Sequence, residues 1–294
     1  MNQRQTPEDR TAWLADASRV DVDRPNAARM YDYYLDGNTN LAVDRAAAEE
    51  ALKVGPWART YARANRAFLG RAVRYLTEHG IDQFLDLGSG IPTVGNVHEV
   101  AHQLNPDSRV AYVDIEPVAV AHARRLLADF DNVSITQADI RQPDIVLSEP
   151  GVAELLDFSR PVAVLAVAIL PFVTDDIEAA EVVAGYRSAC VAGSHLAISH
   201  ISQLNVSDEQ LAHAYEVMAR TPTPVKWRTE AEIRPLLAGY TLVEPGLVWT
   251  PLWRPDPGGF PAWLPEPAEA NAYAAVGMLP AEQSPSAAAE ALTH

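Results

Sequence analysis

Seven residues, Phe84-Leu-Asp-Leu-Gly-Ser-Gly90, limit what this chain can fold into more than any other stretch. An apolar run breaks into two glycines, and a turn without Cβ atoms lets backbone come close to a ligand. The next apolar run, Arg109-Val-Ala-Tyr-Val-Asp114, ends on a carboxylate. It lies roughly 20 residues beyond the turn, where an acidic side chain at a neighbouring strand end reaches two ribose hydroxyls. This order predicts an α/β chain with a parallel sheet and an adenosine-bearing ligand at its carboxyl edge.

The residues missing from the turn narrow the ligand. A dinucleotide fingerprint places a third glycine three positions after Gly90, for a helix that cradles a pyrophosphate. That position is Thr93, after Pro92; Gly95 comes two residues too late, and no Lys or Arg adjoins the turn in sequence. Asp86 ahead of two glycines, with no neighbouring cation, suits a ligand carrying an ammonium and a sulfonium. S-adenosylmethionine is that ligand.

Around this motif the chain organises itself by pattern. Residues 1–20 are polar and expected to be loose. Residues 21–60 form a helical lid: Met30, Tyr33 and Tyr34 recur at helical spacing before a stop at Gly37-Asn38. A cofactor-binding core is expected over 61–250. It opens with a helix over Thr60–Glu78 whose stripe is Phe68, Leu69, Ala72, Val73 and Leu76. Strands are expected at Gln83–Leu87, Val110–Asp114, Ser134–Gln137, Val162–Ile169 and His195–Ser199, with helices at Val118–Leu127 and Ile177–Ala189 between them. Thr229–Leu237 reads as a short helix. Thr241–Val243 and Leu247–Thr250 read as a strand pair around Pro245-Gly246. Prolines crowd residues 251–280, beside Trp253, Phe260 and Trp263, which predicts an extended surface wrap anchored by tryptophans. Residues 281–294 read as a disordered tail.

Charge and cysteine content exclude other classes. The 294 residues carry a formal net charge of −16, a surface that repels phosphate backbones, so nucleic acid is not the expected partner. The densest cations, Arg59, Arg63, Arg66, Arg71 and Arg74, spread around one helix and read as a solvated face. The one cysteine, Cys190, forms no intramolecular disulfide and reads as a small buried hydrophobe. No run is apolar enough to span a bilayer, and the first residues lack a signal-peptide core, so a cytoplasmic location is expected. No His/Cys/Asp cluster has metal-ligand spacing, and no metal is expected.

From about Asp23 to Leu279 the chain resembles the actinobacterial S-adenosylmethionine-dependent methyltransferase family long catalogued as a domain of unknown function. The resemblance rests on Asn26-Ala-Ala-Arg-Met-Tyr-Asp-Tyr-Tyr-Leu-Asp-Gly, Arg63-Ala-Asn-Arg-Ala-Phe-Leu, Phe84-Leu-Asp-Leu-Gly-Ser-Gly-Ile-Pro-Thr, Gly95-Asn-Val-His-Glu-Val, Tyr112-Val-Asp and Val243-Glu-Pro-Gly-Leu-Val, in that order. It implies a Rossmann-like class I methyltransferase: a seven-stranded, mostly parallel sheet with helices on both faces and an antiparallel last strand. It also implies roles for residues. Asp86, Gly88, Ser89 and Gly90 would wrap the methionine half of the cofactor. Asp114 would hold the ribose, Ile115 and Ile140 would flank the adenine, and Asp139 would accept from its amino group. Ala168 would line the site where the sulfonium points. Arg66 is the cation to test against the cofactor carboxylate, ahead of Arg29 and Arg63.

Relatives usually carry a histidine after the fourth strand, where this chain has Pro171, and a basic pair near Val276-Gly-Met-Leu-Pro. With that histidine gone, Tyr33 and His200 are the candidate general bases; His98 reads as a helix residue satisfied by its neighbours. The expected function is methyl transfer to the oxygen or nitrogen of a small molecule in specialised metabolism. The alternatives are aminocarboxypropyl transfer or cyclisation of the cofactor side chain, and a non-catalytic cofactor-binding module.

Overall fold

The computed structural model of the chain describes residues 22–92, 95–203, 206–221, 223–258, 264 and 266–281. The loose start, the tail beyond residue 281, Thr93, Phe260 and Trp263 lie outside the described residues.

Helices α1 (Ala27–Tyr34) and α2 (Ala42–Val54) precede the long α3 (Trp57–Glu78). Asn26 starts α1: its side-chain oxygen accepts from the backbone N–H of Ala28 at 2.8 Å and of Arg29 at 3.2 Å. The expected stripe of α3 is wholly buried. Strands β1 (Gln83–Leu87), β2 (Arg109–Asp114), β3 (Val133–Gln137), β4 (Ala163–Val167) and β5 (His195–Ile201) follow. Between them run α4 (Val97–His102), α5 (Pro117–Leu126), the short α6 (Pro143–Ser148) and α7 (Pro150–Ala153), and α8 (Asp176–Ala189). After β5 come α9 (Asp208–Met218), α10 (Glu230–Ile233), the two-residue strands β6 (Thr241–Leu242) and β7 (Val248–Trp249), and β8 (Ala272–Met278). Strand order across the sheet is β3-β2-β1-β4-β5-β8-β6, with β7 also on β8. β1 to β5 are parallel and β8 is antiparallel to β5. The fold is a Rossmann-like, mostly parallel sheet with helices on both faces and an antiparallel strand beside β5, as expected.

Alternation along the strands builds two cores. Leu85, Ala111, Val164 and Ile198 face α8, whereas Phe84, Val110, Leu165 and Ala197 face the α3 stripe.

Three expectations change. The segments around Pro245-Gly246 do not pair with each other. Thr241 lies opposite Met278 and Val248 opposite Ala274, so both sit on one edge of β8 as a single interrupted strand. Seven steps on that strand match four on β8, and the three extra residues bulge outward at the turn. The extended wrap does not run to residue 280, because Ala272–Met278 is a buried central strand. Trp253 anchors as expected, fully buried and edge-on to Phe68 at 5.4 Å. Finally, the arginines of α3 are not a uniform solvated face. Arg71 is buried and donates to the carbonyls of Thr250 and Trp253, Arg59 and Arg63 pair with Asp36, and Arg74 pairs with Asp256.

Candidate active site

The carboxyl ends of β1 to β4 converge on one cavity of about 620 Å³. Such a position is where ligands bind in open α/β sheets.

The turn after β1 is pinned to β2: the N–H groups of Gly88 and Ser89 both donate to the Val113 carbonyl, at 2.8 and 3.1 Å. Gly88 has φ +69°, and a Cβ there would run into the Ile169 side chain, so glycine is required. Gly90, φ +66°, has open space where its Cβ would be. Its N–H donates to Asp114 Oδ2 at 2.7 Å, and the Glu116 N–H donates to Oδ1 at 2.8 Å. Each carboxylate oxygen thus keeps acceptor capacity for a ligand hydroxyl. Ile115, beside them on the cavity wall, is an aliphatic side chain left 56 % exposed, which suits a planar ring laid against it.

Burial pushes the carboxyl groups here upward. Asp86 rises to about 7, through burial and the nearby Asp114, against the pull of Arg66. Asp114 is raised by burial against the N–H groups it accepts. Asp86 accepts no hydrogen bond from the described residues, so a cationic ligand group would be its natural partner. Although no cation adjoins the turn in sequence, α3 brings Arg66 to the same cavity, and its buried Nε has no hydrogen-bond partner. Asp139 also lines the cavity. Arg141 holds it low, with Nε 3.0 Å from both carboxylate oxygens. Ile140 and Ala168 complete this half, and Ala168 sits at φ +60° directly after β4.

The structure therefore brings Asp86, Gly88, Ser89, Gly90, Asp114, Ile115, Asp139, Ile140, Ala168 and Arg66 to one wall. It does not bring Tyr33 or His200 there. Tyr33 is not among the lining residues; its hydroxyl bonds Glu49 and its ring carries the Arg59 guanidinium. Tyr31 and Tyr34, three apart on α1, face the cavity instead. His200 is fully buried, with Nδ1 2.8 Å from the Ile201 carbonyl and Nε2 2.9 Å from Arg228 Nη1. Burial lowers it to about 3, so the ring is neutral at neutral pH, with Nδ1–H donating to the Ile201 carbonyl and Nε2 accepting from Arg228. Arg228 in turn donates to the carbonyls of Leu170 and Val173, which fixes the segment containing Pro171. His98 contacts the Tyr112 hydroxyl at 2.7 Å, satisfied by a neighbour. Cys190 is only partly buried, and burial raises its thiol to about 11.

Some lining residues carried no legible signal. Asn26 donates to Glu116 at 2.7 Å, tying the start of α1 to the tip of β2. Below it, buried Arg29 meets buried Asp44 at 2.7 Å, and the Asn26 N–H donates to the same carboxylate. Asn65 donates to the Tyr31 hydroxyl at 2.9 Å, and that hydroxyl donates to the Ala62 carbonyl. Further from the sheet the same cavity is walled by Trp57, Tyr61, Phe172, His213, Met218 and Trp227. Neither α9, which carries His213, nor its distance from the glycine turn in sequence pointed there.

Among the described residues, no three His, Cys, Asp or Glu side chains are grouped to hold a metal ion, and no helix is long and apolar enough to cross a membrane. A comparison with curated proteins finds no match. The S-adenosyl methyltransferase family profile matches residues 14–280. Among solved structures, a Thermobifida fusca protein provisionally assigned as a methyltransferase is 40% identical, with TM-score 0.80, over 88% of this chain and 97% of its own. A DUF574 family protein from Streptomyces avermitilis is 34% identical, with TM-score 0.83, over 89% of this chain and 100% of its own. The open apolar wall at Ile115, the acceptor oxygens of Asp114 and the uncompensated Asp86 fit a cationic nucleoside. The chain belongs to the S-adenosyl methyltransferase family, and S-adenosylmethionine is its cofactor.

Proposed function

We propose that the chain transfers the cofactor's methyl group to an oxygen or nitrogen of a small molecule, in specialised metabolism. One observation carries this reading: the cavity that holds the glycine turn is also walled by Trp57, Tyr61, Phe172 and Trp227 and by residues of α9. A cofactor site alone would not need those further aromatic walls.

When bound, the cofactor supplies an electrophilic methyl carbon on a sulfonium. The chain's own residues would bind and orient it. Asp114 would hold the ribose hydroxyls, Ile115 and Ile140 the adenine faces, and Asp139 the adenine amino group. Asp86 and the turn through Ser89 to Gly90 would take the ammonium, Arg66 the carboxylate, and Ala168 would line the site beside the sulfonium. Holding an acceptor in line can be worth ~7–11 kcal/mol, whereas a placed base contributes roughly 10²–10⁴-fold. Positioning by aromatic walls is thus the larger effect.

Pro171 on the cavity wall supports a second reading, aminocarboxypropyl transfer or side-chain cyclisation, since it cannot move a proton. The two readings differ in what is left of the cofactor. Purified protein turning over the cofactor is expected to yield S-adenosylhomocysteine; accumulation of methylthioadenosine would replace the first reading with the second.

A further inference from the structure

His213 lies on α9 in the wall of the same cavity, and its Nε2 is closed off from solvent with no hydrogen-bond partner. A buried ring nitrogen in that state is costly unless a ligand satisfies it. The other nitrogen, Nδ1, faces the Glu216 carboxylate at 3.8 Å. In the tautomer with hydrogen on Nδ1, the Nε2 lone pair is left as an acceptor. Glu50 of α2 also lies near the ring, and it pairs with Arg220, beyond α9, at 2.6 Å, with Lys53 of α2 close by. The other walls are Trp57, Tyr61, Phe172 and Trp227, with the two indoles edge-on at 4.9 Å. Such walls admit a flat, uncharged ring and offer a charged acceptor little solvation.

We infer that the acceptor is a phenol-like aromatic hydroxyl compound and that His213 takes its proton. This rests on the methyl-transfer reading and adds the substrate class and the base. In the step, the acceptor oxygen bonds to the methyl carbon and the carbon–sulfur bonding pair leaves with sulfur. The hydroxyl proton passes to Nε2 and later to solvent. The products are a methyl ether, S-adenosylhomocysteine and, after release, neutral His213.

The test uses the full chain, its His213→Gln variant and two phenols of different acidity. Calorimetry with S-adenosylmethionine comes first, and both proteins should bind it equally. In the presence of S-adenosylhomocysteine, para-nitrophenol added at pH 6 should show the phenolate absorption band with the wild type and not with His213→Gln. Methylation of para-methoxyphenol at pH 7 should fall about 10²-fold in the variant, while para-nitrophenol above its own ionisation should change less than about threefold. Identical spectra for the two proteins would overturn the inference. So would equal losses with both phenols, or failure of either phenol to bind a chain that binds the cofactor. In each case the methyl-transfer reading survives. A wild-type chain that does not bind the cofactor takes both readings down.

Discussion

At Asp86 the physics of a single carboxyl sets a pH dependence. Its folded-state value, about 7, lies far above that of an unfolded aspartate, near 4. Below about pH 4 both states hold the proton and stability is unaffected. Between about pH 4 and 7 the unfolded chain ionises while the folded one does not, so stability falls; above that the penalty is constant. Asp86→Asn removes the difference. The variant without cofactor should gain on the order of 1–4 kcal/mol at pH 8 and little at pH 4, by urea unfolding. An equal gain at both pH values would mean that the raised carboxyl is not the cause. The same scale explains which site residues were legible. Gly88 and Gly90 announce themselves because positive φ leaves few residue types allowed there, and Asp114 because it ends an apolar strand with a carboxylate. His200 misled because a carboxyl-edge position fixes where a side chain starts, not what it meets. Its partner Arg228 is 28 residues away in sequence and gives no sign of the pairing.

Among the elements, α1 and α2 are held by a buried polar node beside a small apolar cluster of Met30, Ala47 and Ala48. Asp44 accepts from Arg29 Nε, the Asn26 N–H and the Leu41 N–H, and neither charged side chain reaches solvent. Removing one member of such a pair strands the other charge. Asp44→Ala should therefore cost about 3–5 kcal/mol of stability. Hydrogen exchange should place the loss in residues 26–54, with β1 to β5 remaining protected. Uniform deprotection across the sheet would show that the node supports the whole fold. Helix α1 was legible from its aromatic spacing and the stop at Gly37-Asn38, but its cavity-facing side was not. Tyr31 and Tyr34 share a face at i, i+3, and Tyr33 lies off it. Strand β8 escaped notice for a different reason. Ala272-Tyr-Ala-Ala-Val-Gly-Met is mostly small and follows a proline-rich stretch, and Val276 is its one branched residue, so the pattern that marks a strand is weak. Gly277 shows why it must be small: a Cβ there would lie 2.7 Å from Cβ of Tyr240.

Across the whole molecule, the net charge of −16 should act on ligand capture. The cofactor carries a net positive charge and its demethylated product none. Association of S-adenosylmethionine, followed by stopped flow, should slow as ionic strength rises, and that of S-adenosylhomocysteine should barely change. Equal salt dependence would leave the surface field without a role. The architecture has its own consequence for biosynthesis. β8 is the last strand among the described residues, yet it lies between β5 and the interrupted β6–β7 strand, paired on both edges. A nascent polypeptide emerging from the ribosome can align its first five strands early, but β5 keeps a bare edge until Met278 clears the exit tunnel. Over that interval the growing chain exposes an unpaired strand margin that neighbouring polypeptides could join, which makes it a natural client for chaperones.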